Sequence, residues 1–123
     1  MAKLECNVSG YFDDILTKIT DGIENSSYTS SLEDSSDFVS ENARCSVRVF
    51  ERYSYLGQNR VSLNLTLFQA NNGPIQLSAI TSGGSQAMFF KINTLGEESF
   101  LEVLKNILRS VYKELHADRE TGC

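Results

Sequence analysis

The chain has 123 residues, enough for one domain with a single hydrophobic core. Its net charge of −5 disfavours nucleic-acid binding, which depends on basic groups that neutralise phosphates. No apolar run is long enough to cross a membrane, and the first ten residues do not resemble a secretory signal. We therefore expect one cytoplasmic domain over residues 1–123, folded from 3 to 116, with a polar tail over 117–123.

The first elements are a strand and a helix. Alternation of Leu4, Cys6 and Val8 with polar residues predicts a short half-buried strand. Apolar residues then recur every three or four positions from Phe12 to Ile23, which predicts an amphipathic helix.

The next segment, 24–42, is rich in serine and acidic residues, a composition typical of a loop. The alternation of Tyr28, Ser30 and Leu32 leaves an edge strand open as an alternative.

The rest of the chain reads as four strands and a helix. Alternating patterns predict strands over 43–56, 60–69, 75–82 and 85–93. Thr94 and Glu97 have the spacing of a capping box, and a helical stripe predicts a helix from about Glu97 to His116. The predicted fold is α+β, in the order strand, helix, four strands, helix, with an antiparallel sheet and both helices on one face.

Two glycine-containing turns set the expected register of the sheet. A two-residue turn at Gly83-Gly84 places Ala79 opposite Met88, with apolar residues paired on one face. A phosphate-binding role for these glycines is disfavoured, because the residues that follow read as a strand and not as a helix. A three-residue turn over 57–59 places Tyr53 opposite Leu63.

This register leaves an apolar surface on the sheet face away from the helices. The candidate interface consists of Phe50, Phe68, Ile80 and Phe89, bordered by Arg48 and Arg52. A patch of this kind is typical of a surface that binds a second copy or another protein. Two other interpretations stay open: scattered apolar residues are common on protein surfaces, and segment 24–42 could cover the patch.

A candidate pocket for a small molecule lies on the opposite, inward face. Glu51 falls there beside Tyr53 and Tyr55, where a carboxylate needs a partner, a shifted pKa or an open edge. The alternative is a bulge that turns Glu51 outward.

Catalytic and metal-binding chemistry is not indicated. The one histidine, His116, is predicted at the polar end of the last helix, and Cys6 and Cys45 are predicted inward as small core residues. The cysteines are odd in number and widely spaced, which favours reduced thiols. We therefore expect a binding module without a cofactor, and not an enzyme.

The predicted order of elements resembles the TATA-binding-protein-like fold, whose relatives include the helix-grip proteins. The resemblance covers residues 3–116 and implies a curved antiparallel sheet with helices on its convex side. In that fold the sheet inserts phenylalanines into the DNA minor groove, and Phe50, Phe68 and Phe89 fall on the equivalent face. This chain holds one copy of the repeat and is acidic, so DNA binding is disfavoured.

Two stretches, NARCSVRVFERYSYLGQNRVSLNLTLFQ and LSAITSGGSQAMFFKINTLGEESFL, are also similar to a family of small bacterial proteins of unknown function. That resemblance implies no site residues. The leading hypothesis is a module that binds itself or a protein partner through the outer sheet face. The alternative is a small-molecule binder, or a weak enzyme, with a pocket between the sheet and the last helix.

Overall fold

A computed structural model of the protein describes residues 1–54, 59–83 and 90–115, and the side chains of 1–53, 60–83 and 96–111. The elements follow in the order β1 (Ala2–Val8), α1 (Phe12–Glu24), β2 (Ser31–Val39), β3 (Ala43–Ser54), β4 (Asn59–Ala70), β5 (Ile75–Gly83) and α2 (Phe90–Leu115). The strands form one curved antiparallel sheet in the order β1-β5-β4-β3-β2. The predicted α+β class, with its order of strand, helix, four strands and helix, is confirmed.

Helix α1 forms where the apolar spacing predicts it. Its apolar stripe is buried against the sheet, and Asp13 and Asp14 occupy the first turn, where the helix dipole favours negative charge. The helix packs on α2 at Gly22, where an added Cβ would lie only 2.8 Å from Cδ1 of Ile107. A residue without a side chain therefore sets the distance between the two helices.

Strand β2 occupies the segment whose composition favoured a loop. It pairs with β3 along its length, with Leu32 opposite Phe50 and Phe38 opposite Cys45, and a bulge falls between Leu32 and Asp34. Beyond Leu32 its residues are exposed, because the strand lies at the sheet edge. Serine and acidic residues are compatible with such a position, and charges and bulges also protect an open edge from unwanted pairing.

The strand expected over 85–93 is wrong over 90–93, whereas residues 84–89 lie outside the described ones. The expected pairing of β5 across a Gly83-Gly84 hairpin is also wrong. Strand β5 is already paired on both edges, with β1 on one side and β4 on the other, so no hairpin partner could follow it. Residues 90–93 belong to α2, and Thr94 lies inside this helix, so it is not the predicted cap. Among the described residues, four strands nevertheless follow α1, because β2 forms where a loop was expected.

The register of β3 against β4 also differs from the expected one. Ser54 pairs with Asn59, so four residues separate the paired ends instead of the predicted three. Leu63 therefore lies opposite Phe50 and not opposite Tyr53. An odd shift exchanges the two faces of a strand, and every side chain of β3 consequently points to the face opposite to the predicted one.

The hydrophobic core lies between the sheet and the helices. Alternate residues of β4 and β5 are fully or almost fully buried, and they pack with the apolar stripes of α1 and α2. From β4 and β5 these residues are Val61, Leu63, Leu65, Leu67, Ile75, Leu77 and Ala79. The opposite face of the sheet carries neither helix, and we call it the outer face.

Candidate interaction surface

The outer face combines an apolar patch with a neutral polar area. Residues opposite one another in an antiparallel pair share a face, so the row Phe38, Cys45, Phe68 and Gln76 crosses β2, β3, β4 and β5. The other outward residues of the same strands alternate with the buried ones. We define the apolar patch by its members Phe38, Cys45, Val47, Val49 and Phe68.

Two aromatic rings dominate the apolar patch. Phe38 is 64% exposed and Phe68 is 38% exposed. Together with Cys45 they line a depression of about 230 Å³ at the β2–β3 end of the sheet. A large apolar side chain from another molecule could fill this depression, which is how interface anchors are usually accommodated.

The polar area occupies the outer face of β4, β5 and β1. A wide, open groove of about 620 Å³ crosses these strands beside Phe68. The polar side chains that line it are mainly neutral amides and hydroxyls: Asn7, Thr66, Gln76 and Ser78, with Glu5 at the margin.

Charges on the outer face lie at its periphery, where two ion pairs form, and Asp34 of the edge strand β2 lies opposite Val49. Glu51 and Arg60 form an ion pair at 2.9 Å, and Lys3 and Glu5 form another at 3.3 Å on β1. Along the middle of β3, β4 and β5 the outward residues are apolar or neutral. Depletion of charge at the centre of a surface patch is typical of protein–protein interfaces.

The predicted interface residues divide between the two faces. Phe68 and Ile80 lie on the outer face and are exposed, as expected. Phe50 is 0% exposed in the core, so its expected place on the outer face is wrong. The reason is the register shift, which turns Phe50 towards the helices opposite Leu63. Phe89 lies outside the described residues.

The arginines Arg48 and Arg52 are also on the helix-covered face, and not at the border of the outer one. The Arg52 guanidinium lies 4.7 Å from the ring centroid of Phe100 and donates to the Ser99 hydroxyl at 2.9 Å. Burial lowers the pKa of Arg52 from its usual value. These contacts give Arg52 a role in holding α2 on the sheet.

Arg44 and Arg48 make equivalent contacts further along β3. Arg44 pairs with Asp13 at 2.7 Å and lies 4.1 Å from the ring centroid of Phe12, both in the first turn of α1. Arg48 pairs with Asp37 of β2 at 2.9 Å. The arginine row that the sequence pattern suggested is therefore present, but its members connect β3 to its neighbours inside the fold.

Asp37 is held by two donors. The Ser46 hydroxyl donates to its Oδ1 at 2.6 Å, and Arg48 donates to the same oxygen at 2.9 Å. The hydrogen bond from Ser46, followed by the one from Arg48, lowers the pKa of the Asp37 carboxyl below its ordinary value. The cluster fastens the edge strand β2 to β3.

The predicted pocket is not formed at Glu51. Glu51 and Tyr53 lie on the outer face, opposite Ser62 and Arg60, and Glu51 is neutralised by Arg60. The position behind them, which they were expected to line, is filled by Phe50 and the rest of the core. Tyr55 lies outside the described residues.

Sequence reasoning missed most of the apolar patch. Phe38 lies in a serine-rich acidic segment whose composition favours a loop, and the predicted register turns Cys45, with Val47 and Val49 on the same face of β3, towards the core. The signal that could have found them is that both faces of β3 carry apolar residues, so the alternation alone does not show which face is buried. One face carries three arginines with Ser46 and Phe50, and the other carries Cys45, Val47 and Val49 followed by Glu51 and Tyr53.

The described cysteines differ from each other. Cys45 is free and partly exposed on the outer face, in contrast to its predicted core position. Cys6 is disulfide-bonded, so the expectation of a reduced thiol is wrong for this residue. His116 and Cys123 lie outside the described residues. Within the described ranges, no group of three or more potential metal-ligating side chains is close enough to hold an ion.

A family model for a family of unknown function (DUF6054) matches residues 1–112, and the chain belongs to this family. No curated protein and no solved structure matches the chain. In the part of the chain that the structure describes, neither helix has the length and apolar character needed to cross a membrane.

Proposed function

We propose that this DUF6054 domain is a self-associating module whose outer sheet face packs against the outer face of a second copy. The observation that carries the proposal is the apolar patch around Phe38 and Phe68, which none of the described helices and strands covers. A sheet with helices on one side only has a second face that another layer can bury.

The available area is sufficient for a stable interface. The strands are seven to twelve residues long. Five strands about 4.8 Å apart and about 30 Å long give a flat area of roughly 700 Å². Side-chain relief increases the accessible area further, and a standard interface buries about 800 Å² on each partner. One face-to-face contact therefore reaches the size of a specific complex.

The charge distribution favours a second copy over a strongly charged partner. The chain carries a net charge of −5, so most contacts between two copies are repulsive. The centre of the outer face is neutral, and the Glu51–Arg60 pair at its periphery cancels internally. A two-fold contact brings identical patches together, and a neutral patch can do this without placing like charges opposite each other.

The same observations argue against nucleic acid as the partner. The DNA-binding hypothesis required Phe50, Phe68 and Phe89 on one exposed face, but Phe50 is in the core. Arg48 and Arg52 are engaged on the helix-covered face with Asp37 and with Ser99 and Phe100, where they cannot form a basic outer surface.

The test compares the solution mass of the wild type with that of the double variant Phe38→Ser/Phe68→Ser. Sedimentation velocity over a dilution series measures the mass, and the monomer has 13.7 kDa. We expect the variant to associate at least about 100-fold more weakly, because it loses two apolar anchors on each copy. The substituted side chains are exposed, so the fold is retained, which circular dichroism checks.

A matched control removes two exposed aromatic side chains elsewhere. Tyr11→Ser/Tyr28→Ser alters residues that precede α1 and β2, outside the outer face. The control is expected to keep the mass of the wild type. A wild type that is monomeric at all concentrations contradicts the proposal, and so does a Phe38→Ser/Phe68→Ser variant with unchanged mass.

A further inference from the structure

Strand β1 lies at one edge of the sheet that the described strands form. It pairs with β5 from Ala2↔Thr81 to Val8↔Ile75, and no other described strand lies beside it. In the described part of the chain, no strand pairs with the backbone N–H and C=O groups on the far side of β1, and such groups can pair with another strand. The edge is straight in its pairing with β5, without the bulge that interrupts β2.

The side chains of β1 are also incompletely covered. Ala2 and Leu4 point to the core side but are only partly buried, although the equivalent residues of β5 are fully buried. Cys6 points to the same side and is disulfide-bonded. On the outer face, Lys3 and Glu5 form an ion pair at 3.3 Å, with 58% and 65% of their side chains exposed. An additional strand beside β1 would cover the apolar side chains on the core side, and on the outer face it would lie beside the Lys3–Glu5 ion pair.

We propose that β1 pairs in antiparallel fashion with β1 of a second copy, around a two-fold axis at Leu4. This interface is separate from the outer face and rests on different residues. The two five-stranded sheets then join into one continuous ten-stranded sheet, with both outer faces on the same side.

The argument for this register is charge complementarity. Pairing centred on Leu4 places Lys3 opposite Glu5 of the second copy, and Glu5 opposite Lys3 of the second copy. Directly opposed residues in an antiparallel pair share a face and interact, and opposite charges there are favourable. Four charges of alternating sign then form a closed square on the outer face. Leu4 contacts its own equivalent on the core side, where it is now only partly buried.

The other open edge is unsuitable for the same kind of pairing. Strand β2 has the sequence SLEDSSDFV, with acidic side chains at 33, 34 and 37, no basic residue and a bulge. Two copies of this strand would bring acidic side chains together, which is a recognised device against edge-to-edge association. Of the two edges, β1 is therefore the one that brings opposite charges together when it pairs with a second copy of itself.

The two proposed interfaces are geometrically compatible. The axis that extends the sheet through β1 is perpendicular to the sheet, whereas the axis that stacks two outer faces lies in the plane between them. Perpendicular two-fold axes that intersect generate a closed assembly of four copies. If both interfaces form, the wild type is a tetramer, and loss of either interface leaves a dimer.

The experiment is a charge exchange at β1, read out as solution mass by sedimentation velocity. Lys3→Glu and Glu5→Lys each create four like charges at the pairing site, and we expect each to weaken association through β1 at least about tenfold. The double variant Lys3→Glu/Glu5→Lys restores opposite charges in the same register, so we expect it to recover the wild-type mass.

Lys18→Glu is the matched control for the change in net charge, because it replaces an exposed lysine of α1. Unchanged mass in both single variants overturns the proposal, and so does a double variant that stays dissociated. A Lys18→Glu variant that dissociates as readily as Lys3→Glu also overturns it, because the effect would then be one of total charge.

The two proposals can fail independently. Association through β1 survives in Phe38→Ser/Phe68→Ser, and association through the outer face survives in Lys3→Glu. A particle that responds only to the phenylalanine substitutions supports the outer face and excludes β1 pairing, and the opposite response supports β1 alone.

Discussion

Phe50 and Leu63 lie directly opposite each other on β3 and β4, and both side chains are fully buried beneath the helices. This one pairing decides which residues of β3 face the core and which form the outer face. If Leu63 instead paired with Tyr53, the row of Cys45, Val47 and Val49 would be inside and Phe50 outside. The location of the apolar patch therefore depends on the register at this point.

Replacing Phe50 with alanine tests the register directly. We expect Phe50→Ala to lower the free energy of unfolding by about 3–5 kcal/mol, because it leaves a large cavity in the core. Phe68→Ala, on the outer face, is expected to lower it by less than about 1 kcal/mol when unfolding is measured with monomeric protein. Urea denaturation followed by circular dichroism distinguishes the two, and equal losses would show that the assigned faces are wrong.

Substitution of Gly22 tests the close contact between α1 and α2. Alanine is favoured over glycine inside a helix by about 1 kcal/mol, but its Cβ would lie 2.8 Å from Cδ1 of Ile107. We expect Gly22→Ala to lower the free energy of unfolding by about 1 kcal/mol, since overpacking exceeds the gain in helix propensity. In an Ile107→Ala background the same substitution should instead stabilise the protein. If Gly22→Ala lowered the free energy of unfolding in both backgrounds, the close approach of α1 and α2 would be contradicted.

Substitution of Arg52 tests whether this half-buried arginine holds α2 on the sheet. Its guanidinium contacts the Phe100 ring and donates to Ser99. We expect Arg52→Lys to lower the free energy of unfolding by about 1 kcal/mol, because an ammonium group does not reproduce the planar stacking. Arg60→Lys, at an exposed ion pair, should change it by less than about 0.5 kcal/mol. A similar effect at both sites would mean that Arg52 acts only through its charge.

The lowered pKa of Asp37 predicts that the free energy of unfolding depends on pH. The folded protein has a lowered Asp37 pKa, so the unfolded chain binds a proton first as the pH falls. The stabilising contribution of Asp37 is therefore present above its ordinary pKa of 3.8 and is lost as the pH falls through the lower folded value. Removing the first donor with Ser46→Ala should raise the pKa of Asp37 towards 3.8.

Carboxyl ¹³C shifts measured by NMR between pH 2 and 6 give this pKa. Ser35→Ala provides the comparison, because Ser35 lies on the same strand and does not contact the Asp37 carboxylate. An Asp37 pKa that is the same in Ser46→Ala and in the wild type would contradict the assigned hydrogen bond.

Local patterns predicted the elements with a single clear periodicity. The stripe of α1 and the alternation of β4 and β5 each had one apolar face, and these elements lie where the sequence placed them. Strand β3 was predicted as an element, but its faces were exchanged, because both carry apolar residues and the pattern gives no preference. Its register depends on the length of the connection to β4, which depends on the paired ends Ser54 and Asn59.

The remaining errors came from pairing over long distances. Strand β1 pairs with β5 although the paired residues, from Val8↔Ile75 to Ala2↔Thr81, are 67 to 79 positions apart in the chain. It occupies the edge that the predicted hairpin at Gly83 required. Strand β2 is stabilised by its neighbour β3 and by the cluster around Asp37, and not by the β propensity of its serines and acids. Phe68 and Ile80 could be assigned to the outer face because the alternation of β4 and β5 is unambiguous.

Contacts between copies can be observed directly with a mixed sample in which half of the chains carry ¹³C-labelled valine and leucine methyl groups and the other half are unlabelled. Isotope-filtered NMR then detects only nuclear Overhauser effects between different chains. If outer faces pack together, the methyl groups of Val47 and Val49 will show effects to aromatic protons of the unlabelled copy. If such effects are absent from these methyl groups, or arise only from methyl groups of α1 such as Leu16, the outer face is not the interface.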